Sequence, residues 1–160
     1  MKKIPKDIKE KLFPYNEAFR AIIRKNVQKI FRDSVNEVFE TGMESDFERK
    51  LLKMIFHYDY LTITAIEEIL ERKIDLELYA ETMRLIGFCS DRFTRNMRFN
   101  LLIKGLNHNS PIVRDSASLG LADFDDKAAI THLTEAISRE SYNSLCKDYE
   151  QVIMKLRFSI

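Results

Sequence analysis

The chain has 160 residues, 45% of them apolar and 32% charged, with a net charge of +1. That is enough apolar material for one core, and the near-neutral balance disfavours a dedicated nucleic-acid binder. Four Gly and three Pro favour helices over sheets. Cys89 and Cys146 lie far apart with no CxxC or CxxH partner, which excludes a disulfide or metal framework and reads as a reducing compartment.

The balance hides an asymmetry. Met1 to Arg32 holds ten Lys/Arg against three Asp/Glu, Asp33 to Ser90 six against thirteen, and Asp91 to Ile160 ten against nine. Segregation of this kind bears on partners and not on fold. The N-terminal run is charged throughout and carries no secretory pattern. No window approaches a membrane span, so a cytoplasmic protein is expected.

In chain order, residues 1–15 form a Lys-rich arm in which Pro5 to Phe13 could make one short helix. Phe19, Ile22, Ile23, Val27, Ile30, Phe31, Val35, Val38 and Phe39 then recur at i, i+3, i+4 and i+7, predicting one long amphipathic helix from Asn16 that ends near Gly42. Ser45 and Glu48 form a capping box before Leu51, Leu52, Ile55 and Phe56, in a helix that closes at His57–Tyr60. Thr64 and Glu67 have the spacing of a second capping box. Asp75 is placed to cap a helix with Leu78, Tyr79, Met83 and Ile86 inward, closed by Gly87. Ser90 or Asp91 opens another, with Met97, Leu101, Leu102 and Leu106 inward.

The most informative stretch follows. Asn107 to Asn109 break the pattern, Ser110 can cap the next helix, and Pro111 suits its first position. Val113, Ala117, Leu121 and Phe124 mark one apolar stripe. Ala117, Ser118, Gly120 and Ala122 allow close helix approach. Asp125 and Asp126 stop this helix and start the next, with Ala129, Ile130, Leu133 and Ile137 inward. Turns this short make neighbouring helices antiparallel.

The pattern Ser110-Pro111, Val113-Arg114, Ala117, Leu121, Asp125-Asp126, Ala129-Ile130, Leu133, Ile137 resembles a HEAT-type helical repeat. A weaker copy places Cys146-Lys147-Asp148 where Val113-Arg114-Asp115 stands, and continues through Val152, Ile153 and Leu156. The resemblance is strongest over residues 91–157. It implies an all-α fold, a stack of antiparallel helix pairs (an α-solenoid), in which Arg114 and Asp115 bridge neighbouring repeats. The loop Ser138–Asn143 is about two residues longer than the family pattern, and Lys147 replaces the Arg. The long N-terminal helix would cap the stack. The expected organisation is thus a single all-α domain over 1–160, with N-terminal helices over 16–90 and helix pairs over 91–157.

Catalytic signatures are missing from the sequence. His57, His108 and His132 have no second ligand at helical spacing, and no phosphate loop or nucleophile elbow occurs. The expectation is a non-enzyme with no cofactor and no metal, a scaffold that binds another protein. Its candidate surface is an acidic strip of Asp59, Glu67, Glu68, Glu71, Glu77 and Glu81, matched to a basic partner. A bacterial-type immunity or antitoxin protein that neutralises a basic toxin domain is the specific form of this expectation. The alternative is nucleic-acid binding through a basic stripe, Arg92, Arg95, Arg98 and Lys104. A structural adaptor within a larger assembly is the third.

Overall fold

The computed structural model describes residues 17–40 and 42–159. The proposed helix over Pro5–Phe13, the Lys-rich arm and Thr41 lie outside them. Among the described residues there are seven helices and no strand: α1 Glu17–Asp33, α2 Asp46–Leu70, α3 Leu76–Phe88, α4 Arg95–Leu106, α5 Pro111–Phe124, α6 Ala129–Arg139 and α7 Asn143–Phe158. None of the helices is long and apolar enough to cross a membrane.

The first helix is shorter than its apolar periodicity predicts. It stops at Asp33, and Val35 and Val38 point into solvent. The chain turns back because the next helix offers better partners than another turn of α1 would. Phe31 and Phe39 both meet Phe47 edge-on, at centroid distances of 5.1 and 5.8 Å. Glu37 Oε1 meanwhile accepts from the backbone N–H groups of Asp46 (2.6 Å) and Phe47 (3.2 Å). An acidic side chain on otherwise unsatisfied N–H groups stabilises a helix start.

The capping box at the start of α2 is as predicted: Glu48 N donates to Ser45 Oγ at 3.0 Å, and Ser45 N to Glu48 Oε2 at 2.9 Å. The second box is not formed. One helical run continues to Leu70 across a kink at Asp59 (φ 41°, ψ −121°), and Thr64 lies inside it with its hydroxyl donating to Tyr60 O. Thr62 Oγ1 donates across the kink to Met54 O at 2.9 Å, recovering a carbonyl that the break affects. Asp75 caps α3 through Glu77 N and Leu78 N. Ser110 and Pro111 open α5 in the predicted positions, yet the Ser110 hydroxyl makes no cap bond. Asp125, in the left-handed region at φ 52°, closes α5.

Packing alternates between two layers. Helix α3 packs on α5 and α5 on α7, while α2 packs on α4 and α4 on α6. The sequential pairs α2–α3, α3–α4, α4–α5 and α6–α7 close the layers against each other, and α1 lies on α2. The α3–α5 contact is the tightest. Gly87 faces Gly120, and a Cβ on either would collide with helix backbone. Gly87 therefore serves this approach more than it serves the end of α3, and Gly120 fulfils the close packing that the small residues of α5 predict. One apolar core runs from Ile23 through Met83, Leu102 and Leu121 to Leu156.

Candidate functional site

The predicted basic stripe is not assembled as a surface. Arg98 is 2% exposed. Its Nε donates to Thr94 Oγ1 (3.1 Å), its Nη1 to Ile86 O (2.7 Å) and its Nη2 to Asp91 O. Asp91 in turn accepts from Thr94 N. Arg98 thus satisfies carbonyls at the end of α3 and in the connection to α4, where a charged fork with five donors suits several acceptors at once. Arg95 pairs with Asp126 at 3.1 Å and lies 4.2 Å from the Phe124 ring centroid. Lys104 pairs with Glu67 and, at 3.7 Å, with Glu71. Of the four cations Arg92 is exposed and makes no such contact among the described residues.

The acidic strip also divides. Glu67 and Glu71 join α2 to α4 through Lys104, and Glu68 joins α2 to α1 through Arg24 (2.8 Å). These pairs hold helices together across an exposed surface. Glu77 is exposed on the first turn of α3, and Asp59 sits at the α2 kink, its carboxyl pushed up by burial and then by nearby Asp91. Glu81 is 7% exposed and faces another side of the molecule. The six residues do not make one strip.

Arg114 joins the α4–α5 connection to the α6–α7 connection, and Asp115 is not its partner there. Its Nε and Nη2 donate to Glu140 Oε2 and Oε1 at 2.7 and 2.8 Å, and its Nη1 to His108 O and Asn109 O at 2.9 Å each. Glu140 opens the connection between α6 and α7, which is three residues and not the Ser138–Asn143 loop expected from the sequence. Its Oε1 also accepts from Ser141 N and Tyr142 N, and its Oε2 from Tyr149 OH. The Arg114 hydrogen bonds hold the Glu140 carboxyl below its ordinary range, while burial and then Glu140 push the Tyr149 phenol up to about 12.

Asp115 points elsewhere, into a groove of about 1040 Å³ that sequence reasoning missed. The groove is bounded by the α1–α2 connection, the start of α2, and α3, α5 and α7. Each of the last three contributes one stripe at helical spacing: Glu81, Arg84, Leu85 and Phe88 from α3; Asp115, Leu119, Ala122 and Asp123 from α5; Asp148, Gln151, Val152 and Lys155 from α7. Among the described residues seven carboxylates line it (Glu40, Glu44 and Glu48 complete the set), against two cations, Arg84 and Lys155. Apolar side chains stand among the charges, with Phe88 73%, Met43 66% and Leu119 42% exposed. One signal in the sequence points here: the resemblance to a HEAT-type repeat aligns Asp148 with Asp115.

The two cations do not neutralise the groove evenly. Lys155 reaches Asp123 at 3.4 Å, and Arg84 Nη1 donates to Glu81 Oε2 at 3.0 Å. Burial pushes the Glu81 carboxyl up, opposed by Arg84 and reinforced by Glu48 from α2. Burial likewise pushes Asp115 up, reinforced by Asp148 from α7 and opposed by Arg84.

The histidines stay apart. His57 donates to Lys53 O, His108 stacks near Tyr79 at 4.7 Å and accepts from Ser110 N, and His132 meets Phe99 at 6.0 Å. Among the described residues no group of three or more His, Cys, Asp or Glu could hold a metal ion. No protein-family model, curated protein or solved structure matches this chain.

Proposed function

We propose that the protein is a non-catalytic scaffold that binds another protein, and that the α3–α5–α7 groove is its docking face for a basic, amphipathic segment of that partner. The observation that carries this reading is the lining of the groove, among the described residues seven carboxylates against two cations with exposed Phe88, Leu119 and Met43 between them. Complementary charge steers encounter and selects among partners, while apolar anchors supply most of the affinity. The alternating two-layer packing supports the HEAT-like stack as the scaffold, because such stacks present one face of successive helices as a continuous surface. A basic toxin domain is one partner of this chemistry. Immunity is the form of the proposal in which that partner is the target.

The test is direct titration of the full chain with a fluorescent amphipathic peptide of Arg, Leu and Ala at helical spacing. Binding should weaken steeply with salt and disappear when Glu replaces both Phe88 and Leu119. An acidic peptide with the same Leu positions should not bind. A basic peptide that fails to bind, or that binds the Phe88→Glu/Leu119→Glu variant equally well, would overturn the proposal.

A further inference from the structure

Helices α1 and α2 present a second charged face, away from that groove. The edge-on contacts Phe31–Phe47 and Phe19–Tyr58 lay α1 antiparallel along α2 as far as its kink. Lys25, Lys29 and Arg32 follow one another at helical spacing on α1, as Arg49, Lys50 and Lys53 do on α2, and all six are exposed. Asp33 stands at the seam between the two stripes. Lys29 hydrogen-bonds it, and Arg32 and Lys50 also help to hold its carboxyl below the ordinary range. Asp46 engages Arg49 and Lys50. Ile22 and Phe56, each 54% exposed, continue the same stripes as apolar side chains.

The groove lies on another side of α2. Glu48 and Leu52 line it, and Lys50 stands about 200° round the helix from Glu48. The chain therefore carries two surfaces of opposite charge that point away from each other, and neither is neutralised internally. Lys25, Arg32 and Lys53 make no ion pair among the described residues, and in the groove Glu40, Glu44, Asp115 and Asp148 make none either. Lys25 and Lys29 are one turn apart and repel, a spacing that does not serve α1 itself.

Building on the docking reading of the groove, we propose that a second copy of this chain is one of its basic partners, the Lys25–Arg32–Lys53 face of one copy seating in the α3–α5–α7 groove of the next. The unpaired cations meet the unpaired carboxylates, while Ile22 and Phe56 supply apolar residues for Phe88 and Leu119. The two halves of this contact are unlike and point apart, so copies add head to tail and do not form a two-fold dimer. Opposite charges make the contact strong at low salt and weak at high salt. A basic segment of any other partner competes with it for the groove.

The experiment is sedimentation equilibrium of the full chain over a range of concentrations. At low salt the average mass should climb steadily past that of a dimer, and it should return to the monomer near 1 M salt, where the Debye length is about 3 Å. Lys25→Glu/Arg32→Glu/Lys53→Glu keeps the groove and removes the basic face, whereas Phe88→Glu/Leu119→Glu does the reverse. All five substituted side chains are exposed, so both variants should melt with the parent. Each alone should stay monomeric, and a mixture of the two should give a one-to-one dimer that grows no further. If either variant melts lower, the Arg–Leu–Ala peptide makes the same test without substitution, because it should dissolve the series formed by the parent. A parent that stays monomeric at low salt would overturn the self-contact, and the peptide titration would still decide the groove by itself. A series that survives either variant or the peptide, a parent that stops at a dimer, or a mixture that stays monomeric would overturn it too. So would a monomeric parent whose Lys25–Arg32–Lys53 face binds an anionic polymer, which would assign that face to a polyanion.

Discussion

Arg98 Nη1 donates to the carbonyl oxygen of Ile86 at 2.7 Å, so a side chain from α4 closes the last turn of α3. The guanidinium also serves Thr94 and Asp91, which leaves several buried acceptors dependent on one residue. Burial lowers the Arg98 pKa from its ordinary value, with Cys89 and Asp91 opposing that shift. Arg98→Ala should therefore cost about 3–5 kcal/mol through lost volume and orphaned acceptors, whereas Arg92→Ala should stay within about 0.5 kcal/mol. Urea denaturation of both variants checks this. Equal midpoints would show that Arg98 holds nothing together.

The Arg114–Glu140 pair should behave as a latch between the α4–α5 and α6–α7 connections. Its side chains are only 15% and 3% exposed. Glu140→Gln should destabilise by about 3 kcal/mol, because it leaves a mostly buried guanidinium without its counter-charge. Since the folded pKa of Glu140 lies below its ordinary value of 4.5, the contribution is complete above that value and is lost as pH falls through the depressed one. Stability profiles of parent and variant should converge in that acidic window. Curves that stay parallel there would refute the linkage.

Gly87→Ala should cost about 3 kcal/mol, at the upper end for overpacking, because its Cβ meets Gly120 backbone and not a flexible side-chain end. Gly42, at φ 84° with nothing among the described residues within 4 Å of an added Cβ, is the control. There, Ala should cost only about 1 kcal/mol of backbone strain. The comparison is read from thermal melts, and a Gly87→Ala chain as stable as Gly42→Ala would contradict the α3–α5 contact.

Asp59 occupies a backbone conformation (φ 41°, ψ −121°) that favours glycine. Asp59→Gly should stabilise the chain by roughly 1 kcal/mol through relief of strain. Asp59→Ala should not, since it keeps the Cβ. The two melting temperatures decide the matter, and a Gly variant no better than Ala would mean that the kink carries no strain.

Much of the helix order was legible because helix ends are set by short-range chemistry. Ser45 with Glu48, Asp75, Ser110 with Pro111, and Asp125 act within a few residues of themselves, and all stand at helix ends. Periodicity alone misled at Val35 and Val38, where an apolar rhythm continues but Phe39 gains more by returning to Phe47. It misled again at Thr64 and Glu67, whose spacing suits a cap although the helix had already restarted beyond Asp59.

What the sequence by itself determined is therefore the all-helical character, most of the breaks, and the inward stripes from Ile23 to Leu156, each a product of local hydrogen bonding and 3.6-residue spacing. Only the tertiary structure decided which charges remain available. Arg98, Glu67 and Glu68 look in the sequence like surface residues of their own helices, but each is engaged by a residue many positions away. Conversely Glu48, Glu81, Asp115 and Asp148 belong to four different helices and line one groove because α3, α5 and α7 pack side by side with the start of α2 at their edge. Coulomb interactions depend on distance through space, and helix periodicity specifies direction around one axis, not which axes meet.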